Sequence, residues 1–208
     1  MDVASLTNTG GSITGSETLS VLSEGDITNT SGSIRGGNVD LTSTQGSIIN
    51  QTEVIGQGDS ISYTTNIGKT AVIESTNALT LSAEKDIKVI GASVTAGGNA
   101  AISAEGDILV DTIVDKTIRT TGTSKETTHG YSTSLTTVET ETNIGSGIKI
   151  GGDAVIQAGD QATIRGSEID VKGKALIEGK NGLNVLDAVD KKRTTVVTET
   201  SELFGSDS

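Results

Sequence analysis

The sequence reads Thr7-Asn8-Thr9-Gly10-Gly11-Ser12-Ile13-Thr14-Gly15, and 21 residues later it reads Thr28-Asn29-Thr30-Ser31-Gly32-Ser33-Ile34-Arg35-Gly36. The segment Ser82–Ile87 recurs at the same offset as Ser103–Ile108. Self-similarity at a fixed period of about 20 to 50 residues indicates a repeat architecture, in which each repeat stacks on the next. A stack of 21-residue units is therefore the first hypothesis for the fold.

Each repeat contains short strands. Two apolar residues separated by one other residue recur along the chain, as in Val39/Leu41 and Ile87/Val89. A period of two is typical of a strand with one buried face. Gly-Asp, Gly-Ser and Gly-Gly pairs between these strands indicate turns. Three short strands and three turns in 21 residues predict one coil of an all-β, parallel β-helix, stacked on its neighbours at about 4.8 Å.

The composition agrees with such coils. The chain has no Pro and no Trp, one Phe and two Tyr. A narrow core of Ile and Val has little room for aromatic rings, and strands that pair on both sides need the N–H that Pro lacks. Asn8, Asn29 and Asn50 share one register, which predicts an amide ladder at a turn. Two alternatives stay open: a low-complexity Ser/Thr chain with accidental similarity, and an all-β sandwich.

The repeat breaks at Asp111. From Asp111 to Ile144 the chain is rich in Thr and charge, and neither alternating face is consistently apolar. Residues 111–144 therefore predict a Thr-rich hairpin or loop that projects from the coils. Coils are predicted over residues 1–110 and again over residues 145–186. Residues 187–208 echo the start of this excursion, so we expect a second excursion or a frayed end there, within a longer parent protein.

Contacts with a partner are expected in the excursion rather than in the coils. The candidate contact residues are Lys116, Arg119, Lys125, His129 and Tyr131. His129 is the only histidine, and a solvated loop residue is the simplest interpretation of it.

No catalytic, cofactor-binding or metal site is predicted. A single His excludes a His-based triad or a multi-His metal site, and the absence of Cys gives no support for thiolate chemistry or structural zinc. Turn formation explains Asp26, Asp86, Asp107 and Asp160, which stand at strand starts. We expect the chain not to be an enzyme. A β-helical polysaccharide-cleaving enzyme is a remote alternative, because no cluster of carboxylates or basic residues marks a cleavage site.

The charge restricts the partners. A net charge of −12 and a pI of about 4.4 argue against nucleic acid or an anionic membrane surface as the main partner, because both attract a basic patch. No run of about 18 apolar residues predicts a transmembrane segment. The sequence also shows no secretory signal pattern.

Gly151–Asp160 followed by Ile164–Ile169 resembles the haemagglutinin repeats of filamentous haemagglutinin and of CdiA-type exoproteins of two-partner secretion. Ala104–Ile108 then runs into the Thr-rich break, and this order of elements is similar to the second repeat region of such proteins. The resemblance covers most of Asn77–Asp190, and residues before Asn77 match more loosely.

The resemblance implies a right-handed β-helix that an outer-membrane two-partner-secretion transporter exports to the cell surface or the medium. It implies a structural stalk of a contact-dependent growth inhibition exoprotein, which presents or helps to deliver a C-terminal toxin to neighbouring bacteria. A filamentous adhesin segment that binds host or bacterial surfaces is the alternative. The target-cell receptor stays unknown, and membrane contact by the parent protein stays open.

Overall fold

The structure is a computed structural model and describes residues 1–128 and 130–202. Every regular element in these ranges is a β-strand. The chain divides into two compact units. The first contains Met1–Val54, Ile67–Ile113 and Asn143–Val189, and the second contains Ile55–Asn66, Val114–Thr142 and the residues from Asp190 onward.

The first unit consists of three sheets. The strands of the first sheet, in spatial order, are β1 (Asp2–Val3), β4 (Thr18–Ser23), β7 (Asn38–Ser43), β12 (Leu79–Ala83), β15 (Ala100–Ala104), β20 (Ala154–Ala158) and β23 (Ala175–Gly179). Those of the second sheet are β2 (Leu6–Thr9), β5 (Ile27–Thr30), β8 (Ile48–Gln51), β13 (Ile87–Ile90), β16 (Ile108–Asp111), β21 (Gln161–Arg165) and β24 (Gly182–Leu186). Those of the third sheet are β3 (Ser12–Thr14), β6 (Ser33–Gly36), β11 (Val72–Ser75), β14 (Ser93–Ala96), β19 (Gly147–Ile150) and β22 (Glu168–Val171).

Neighbouring strands in these sheets pair in parallel, and each coil contributes one strand to each sheet. Leu6 pairs with Ile27 and Ile27 pairs with Ile48, so successive coils repeat every 21 residues here. Stacked parallel strands with this topology form a β-helix. The predicted parallel β-helix is therefore confirmed.

The core of the first unit is a set of aliphatic columns. Ile27, Ile48, Ile87 and Ile108 stack in consecutive coils of the second sheet, and each is at most 2% exposed. Alternation along each strand directs these side chains inward, because successive residues of a strand point to opposite faces. Burying one such Ile contributes roughly 1.5–3 kcal/mol. The core cluster contains Ile, Leu, Val and Ala, so the stack is held by aliphatic packing without large rings.

The predicted amide ladder is present. Asn8 Nδ2 donates to Asn29 Oδ1 at 2.8 Å, and Asn29 Nδ2 donates to Asn50 Oδ1 at 2.7 Å. Asn29 Nδ2 also donates to the carbonyl oxygen of Gly32 at 3.1 Å, in the turn that follows its strand. The three amides are buried, and a buried polar group requires hydrogen-bond partners. The ladder supplies them from coil to coil.

A second column of side chains joins the turns that precede the second sheet. Each side-chain oxygen accepts the backbone N–H at the same position of the next coil: Asp26 from Ser47 at 2.8 Å, Ser47 from Asp86 at 3.3 Å, Asp86 from Asp107 at 3.0 Å, and Asp107 from Gln161 at 3.0 Å. The hydrogen bond from Asp107, helped by Lys88, lowers the pKa of Asp86 below its usual range. These carboxylates therefore connect one turn to the next.

The second unit is a five-stranded sheet in the order β25 (Lys191–Glu202), β18 (Gly130–Ile144), β17 (Ile113–Thr127), β10 (Ser62–Ile67) and β9 (Val54–Gly58). β10 pairs antiparallel with β17, and β18 pairs antiparallel with β25. The described part of the 111–144 excursion thus forms the two long strands β17 and β18.

The structure corrects one expectation, that coils continue through residues 1–110. Residues Ile55–Asn66 belong to the second unit. Ile48 pairs with Ile87, a step of 39 residues instead of 21. The inserted length is close to that of one coil, so the insertion looks like another repeat in the sequence. The second interruption is longer, because Ile108 pairs with Ala162, a step of 54 residues.

Candidate contact surface

Each coil has a corner directly after its second-sheet strand. In four coils the corner residue has a positive φ, between 50° and 68°; these residues are Gly10, Ser31, Gly91 and Gly166. This left-handed region is open to glycine and disfavoured for residues with a side chain, most of all for β-branched ones. These coils therefore turn through a left-handed residue to reach the third sheet.

At the other three corners the same position holds Thr52, Thr112 or Asp187, and none of them has a positive φ. At most three residues later the chain enters the second unit, at Ile55, at Val114 and at Asp190. All three segments of the second unit therefore follow the same corner of a coil. A β-branched Thr at this position marks two of the three departures, and this signal is readable in the sequence.

Side chains of the first unit close the gap that the second departure leaves. Thr112 Oγ1 donates to Asn143 Oδ1 at 3.1 Å, which joins the residues where the chain leaves and returns. The buried Ser146 Oγ donates to the carbonyl oxygen of Asp111 at 2.6 Å and accepts the backbone N–H of Ala92 at 3.1 Å. The coils on both sides of the insertion are thus hydrogen-bonded to each other.

At the first departure Thr52 has an equivalent role. Thr52 Oγ1 donates to the carbonyl oxygen of Gly91 at 2.6 Å and accepts the backbone N–H of Ala71 at 3.1 Å. The backbone N–H of Gly68 donates to the carbonyl oxygen of Glu53 at 2.8 Å. A buried hydroxyl beside each insertion therefore restores the hydrogen bonds that the missing corner would supply.

The sheet of the second unit has two faces, because alternate residues of a strand point to opposite sides. One face, here called the ionic face, carries Lys116 of β17, Glu139 and Glu141 of β18, and Lys191 and Arg193 of β25. Glu139 pairs with Arg193, and Glu141 pairs with Lys191. Lys116 Nζ contacts the carboxylate of Glu139 and lies 3.1 Å from Glu141 Oε1, while Lys191 Nζ lies 3.5 Å from Glu141 Oε2.

These contacts shift the titration of the ionic face. Hydrogen bonds to Glu139 and Glu141 raise the pKa of Lys116 above its ordinary value. The hydrogen bond from Lys116, followed by the weaker contact with Lys191, lowers the pKa of Glu141. Both groups therefore stay charged near neutral pH, and the cluster connects three strands of the sheet.

The opposite face, here called the hydroxyl face, is dominated by Thr and Ser. Thr117 and Thr140 hydroxyls lie 2.5 Å apart across β17 and β18, which sets the register of the two strands. The hydroxyl face consists of Thr117, Arg119, Thr121, Thr123 and Lys125 of β17, Ser132, Ser134, Thr136, Val138 and Thr140 of β18, and Lys192, Thr194, Val196, Thr198 and Thr200 of β25. This set includes three cations and no carboxylate, in a chain of net charge −12.

The predicted contact residues do not form one cluster. Lys116 and Tyr131 lie on the ionic face, and Arg119 and Lys125 lie on the hydroxyl face. Arg119, Lys125 and Tyr131 are exposed, whereas Lys116 is engaged by its two carboxylates. His129 lies outside the described residues. Their role in contacts stays a prediction.

Sequence reasoning missed the partners of Lys116. Glu139 and Glu141 are spaced by two, as are Lys191 and Arg193. Two strands with this spacing of opposite charge are a signal for cross-strand pairing on one face. The signal requires that β18 and β25 be recognised as neighbours, and 50 residues separate Glu141 from Lys191.

Two searches of the described residues gave negative results. Within residues 1–128 and 130–202, no group of three or more His, Asp or Glu side chains is arranged to hold a metal ion. The same ranges hold no helix with the length and apolarity needed to cross a membrane.

The sequence model of the Hemagglutinin repeat family matches residues 55–134 and 127–204, which is more than half of the chain. The chain belongs to the hemagglutinin repeat family. Comparisons with curated proteins and with solved structures gave no match. Both matched ranges include strands of the second unit, so the family pattern of this hemagglutinin repeat combines coils and excursions.

Membership has consequences for the setting of the chain. Hemagglutinin repeats belong to two-partner-secretion exoproteins, which indicates an outer-membrane transporter as a partner. The family also implies a secreted or cell-surface protein, a stalk or adhesin of filamentous haemagglutinin type.

Proposed function

We propose that this hemagglutinin-repeat chain is a stalk segment of a contact-dependent growth inhibition exoprotein, and that it presents or helps to deliver a C-terminal toxin to neighbouring bacteria. One observation carries the proposal: three segments leave the coils at one corner and form a separate sheet. In this view the coils are the stalk and the sheet makes the contacts.

The side chains of the two units support this division. Inward positions of the coils are filled with Ile, Val, Leu and Ala, and turn carboxylates are hydrogen-bonded between coils. Most of the side chains of β17 and all the described side chains of β25 are exposed or half-buried. Exposed polar segments on a rigid scaffold are common sites of recognition.

A filamentous adhesin is the second candidate, and the hydroxyl face favours it. Arg119, Lys125 and Lys192 are exposed on a face without carboxylates, which suits attraction to a negatively charged cell surface. An adhesin would use this face for attachment itself, whereas a delivery stalk would still need it after cells have attached.

The experiment uses the full parent protein on inhibitor cells mixed with target cells. Arg119→Glu with Lys125→Glu reverses two charges of the hydroxyl face. The matched control is Arg35→Ala, which removes an exposed ion pair of the coils, 3.1 Å from Glu74. Target-cell survival reports delivery, and the number of inhibitor–target cell pairs reports attachment.

The delivery proposal expects higher target survival for the double variant, with unchanged cell pairing and an inactive control effect. A loss of cell pairing points to the adhesin instead. Unchanged survival and unchanged pairing overturn the assignment of contacts to the hydroxyl face.

The proposal includes no catalysis by this chain. Incubation of the purified chain with acidic polysaccharides should release no shorter products. Turnover that survives repeated purification would contradict this part of the proposal.

A further inference from the structure

The outer edge of β25 has no strand beside it among the residues that the structure describes. In spatial order β25 is the last strand of its sheet and pairs with β18 alone. It is 12 residues long, and its described side chains are exposed. A long exposed edge offers a row of backbone N–H and C=O groups to another strand, unless charge or shape prevents it.

The charges of β25 are divided along its length. Lys191, Lys192 and Arg193 open the strand, and Glu199 lies toward its other end. Between them, Val196 is 59% exposed and Val197 is 49% exposed. An antiparallel pair of two such strands places the basic half of each against the acidic half of the other. A parallel pair would place like charges side by side, which is destabilising.

The symmetry of such a pair restricts its register. Two identical antiparallel strands are related by a twofold axis, so the central residue lies opposite its own copy. A centre at Val196 places Arg193 opposite Glu199 twice. A centre at Thr195 places Arg193 opposite Val197, and a centre at Val197 places it opposite Ser201. The centre at Val196 therefore matches Arg193 with a carboxylate and also pairs the two exposed valines.

We propose that two copies of this chain associate through β25, antiparallel and centred on Val196, and so join two five-stranded sheets into one. The partner is a second copy of this chain, and the recognition is self-complementary charge along a free strand edge. The inference concerns the chain itself and is independent of toxin delivery.

Cysteine cross-linking tests the register, because the chain has no native Cys. A short bismaleimide should link Val196→Cys to its own copy. Thr194→Cys and Thr198→Cys lie opposite each other in this register, so a mixture of the two should cross-link more than either variant alone. Equal cross-linking of all single variants would overturn the register.

Charge variants test the recognition. Glu199 pairs with Thr133 within the sheet, so its replacement spares the ion pairs of the ionic face. In sedimentation experiments Glu199→Gln should raise the dimer dissociation constant by roughly threefold, and Glu199→Arg by roughly tenfold or more. Added salt should weaken the wild-type dimer in the same direction.

Mixing provides the decisive control. Arg193→Glu and Glu199→Arg chains should each self-associate poorly, yet a mixture should form heterodimers, because each cation again meets a carboxylate. Hydrogen exchange must show β25 still protected by β18 in the Arg193→Glu chain; if it does not, the comparison rests on Glu199→Gln and Glu199→Arg. A wild-type chain that stays monomeric up to about 1 mM would overturn the proposal.

Discussion

Arg165 and Asp111 lie in adjacent coils and form a two-pronged ion pair, although 54 residues separate them in the sequence. Arg165 Nε donates to Asp111 Oδ1 at 2.8 Å, and Nη2 donates to Oδ2 at 2.6 Å. The backbone N–H of Thr112 donates to the same carboxylate at 2.6 Å. The pair connects the last residue before the 114–142 excursion to the coil that follows it.

Replacing Arg165 by Ala should destabilise the chain by about 1–2 kcal/mol, because the mostly buried Asp111 loses two charge-assisted hydrogen bonds while Arg165 is itself half exposed. Urea denaturation measures the change. Arg35→Ala is the matched control, since both members of that ion pair are well exposed, and it should shift stability by about 0.5 kcal/mol or less. Equal effects of the two variants would contradict a special role for the Asp111 pair.

The same pair should make stability depend on pH. Burial alone would raise the pKa of Asp111, but the hydrogen bonds from Arg165 and Thr112 outweigh burial and lower the pKa below the ordinary 3.8. A lowered folded-state pKa contributes stability above the unfolded value, and this contribution is lost as the pH falls through the folded value. The stability difference between wild type and Arg165→Ala should therefore shrink below about pH 3.8. A difference that stays constant down to about pH 2 would contradict this assignment.

Asn29→Ala should destabilise the coils by about 2–3 kcal/mol, because Asn29 is fully buried and its loss leaves amide groups of two neighbours without their partner. Asn8→Ala removes the end of the ladder and should cost about 1 kcal/mol. Thermal and urea unfolding compare the two. If the end variant is as destabilising as the central one, the amides act independently and not as a ladder.

Gly91→Ala should be destabilising by about 2 kcal/mol or more, because φ is +56° and a Cβ would lie 2.6 Å from Ile113 Cγ1. Gly147→Ala is the control, since a Cβ there meets only Lys149 Cε at 4.0 Å. The control should be neutral or slightly stabilising in equilibrium unfolding. A tolerated Gly91→Ala would mean that the corner does not require a left-handed residue.

Lys116→Ala should loosen the second unit without unfolding the coils, because Lys116 contacts both Glu139 and Glu141 on the ionic face. Hydrogen exchange of the amides in β17, β18 and β25 should become several-fold faster, while the Ile27 and Ile48 amides keep their protection. Lys125→Ala, on the hydroxyl face, should leave exchange unchanged. Faster exchange in the coils would show that the two units do not open independently.

The stack of coils could be predicted from the sequence because its cause is local and repeated. The 21-residue recurrence of Ile27 and Ile48, or of Asn8 and Asn29, directly reflects residues that lie one above the other. The first excursion, Ile55–Asn66, could not be separated from the coils, because its length is close to one period. Thr52 at the corner was the available signal.

The contact surface was less predictable than the coils. The composition of residues 111–144 indicated an exposed Thr-rich excursion, but the faces of its sheet depend on which strands pair. Lys116 and Glu141 are 25 residues apart, and Lys191 is a further 50 from Glu141. Only the strand order places these charges together, and no local pattern contains that order.

The most direct test is a set of nuclear Overhauser effects between backbone protons of β16 and β21. If the coils stack across the insertion, Leu109 and Val110 should give cross-peaks to Thr163 and Ile164, which pair with them in the parallel register. Neighbouring strands lie about 4.8 Å apart, within range of this effect. Cross-peaks from Val110 to Tyr131, one 21-residue period later in the sequence, would contradict the interrupted β-helix.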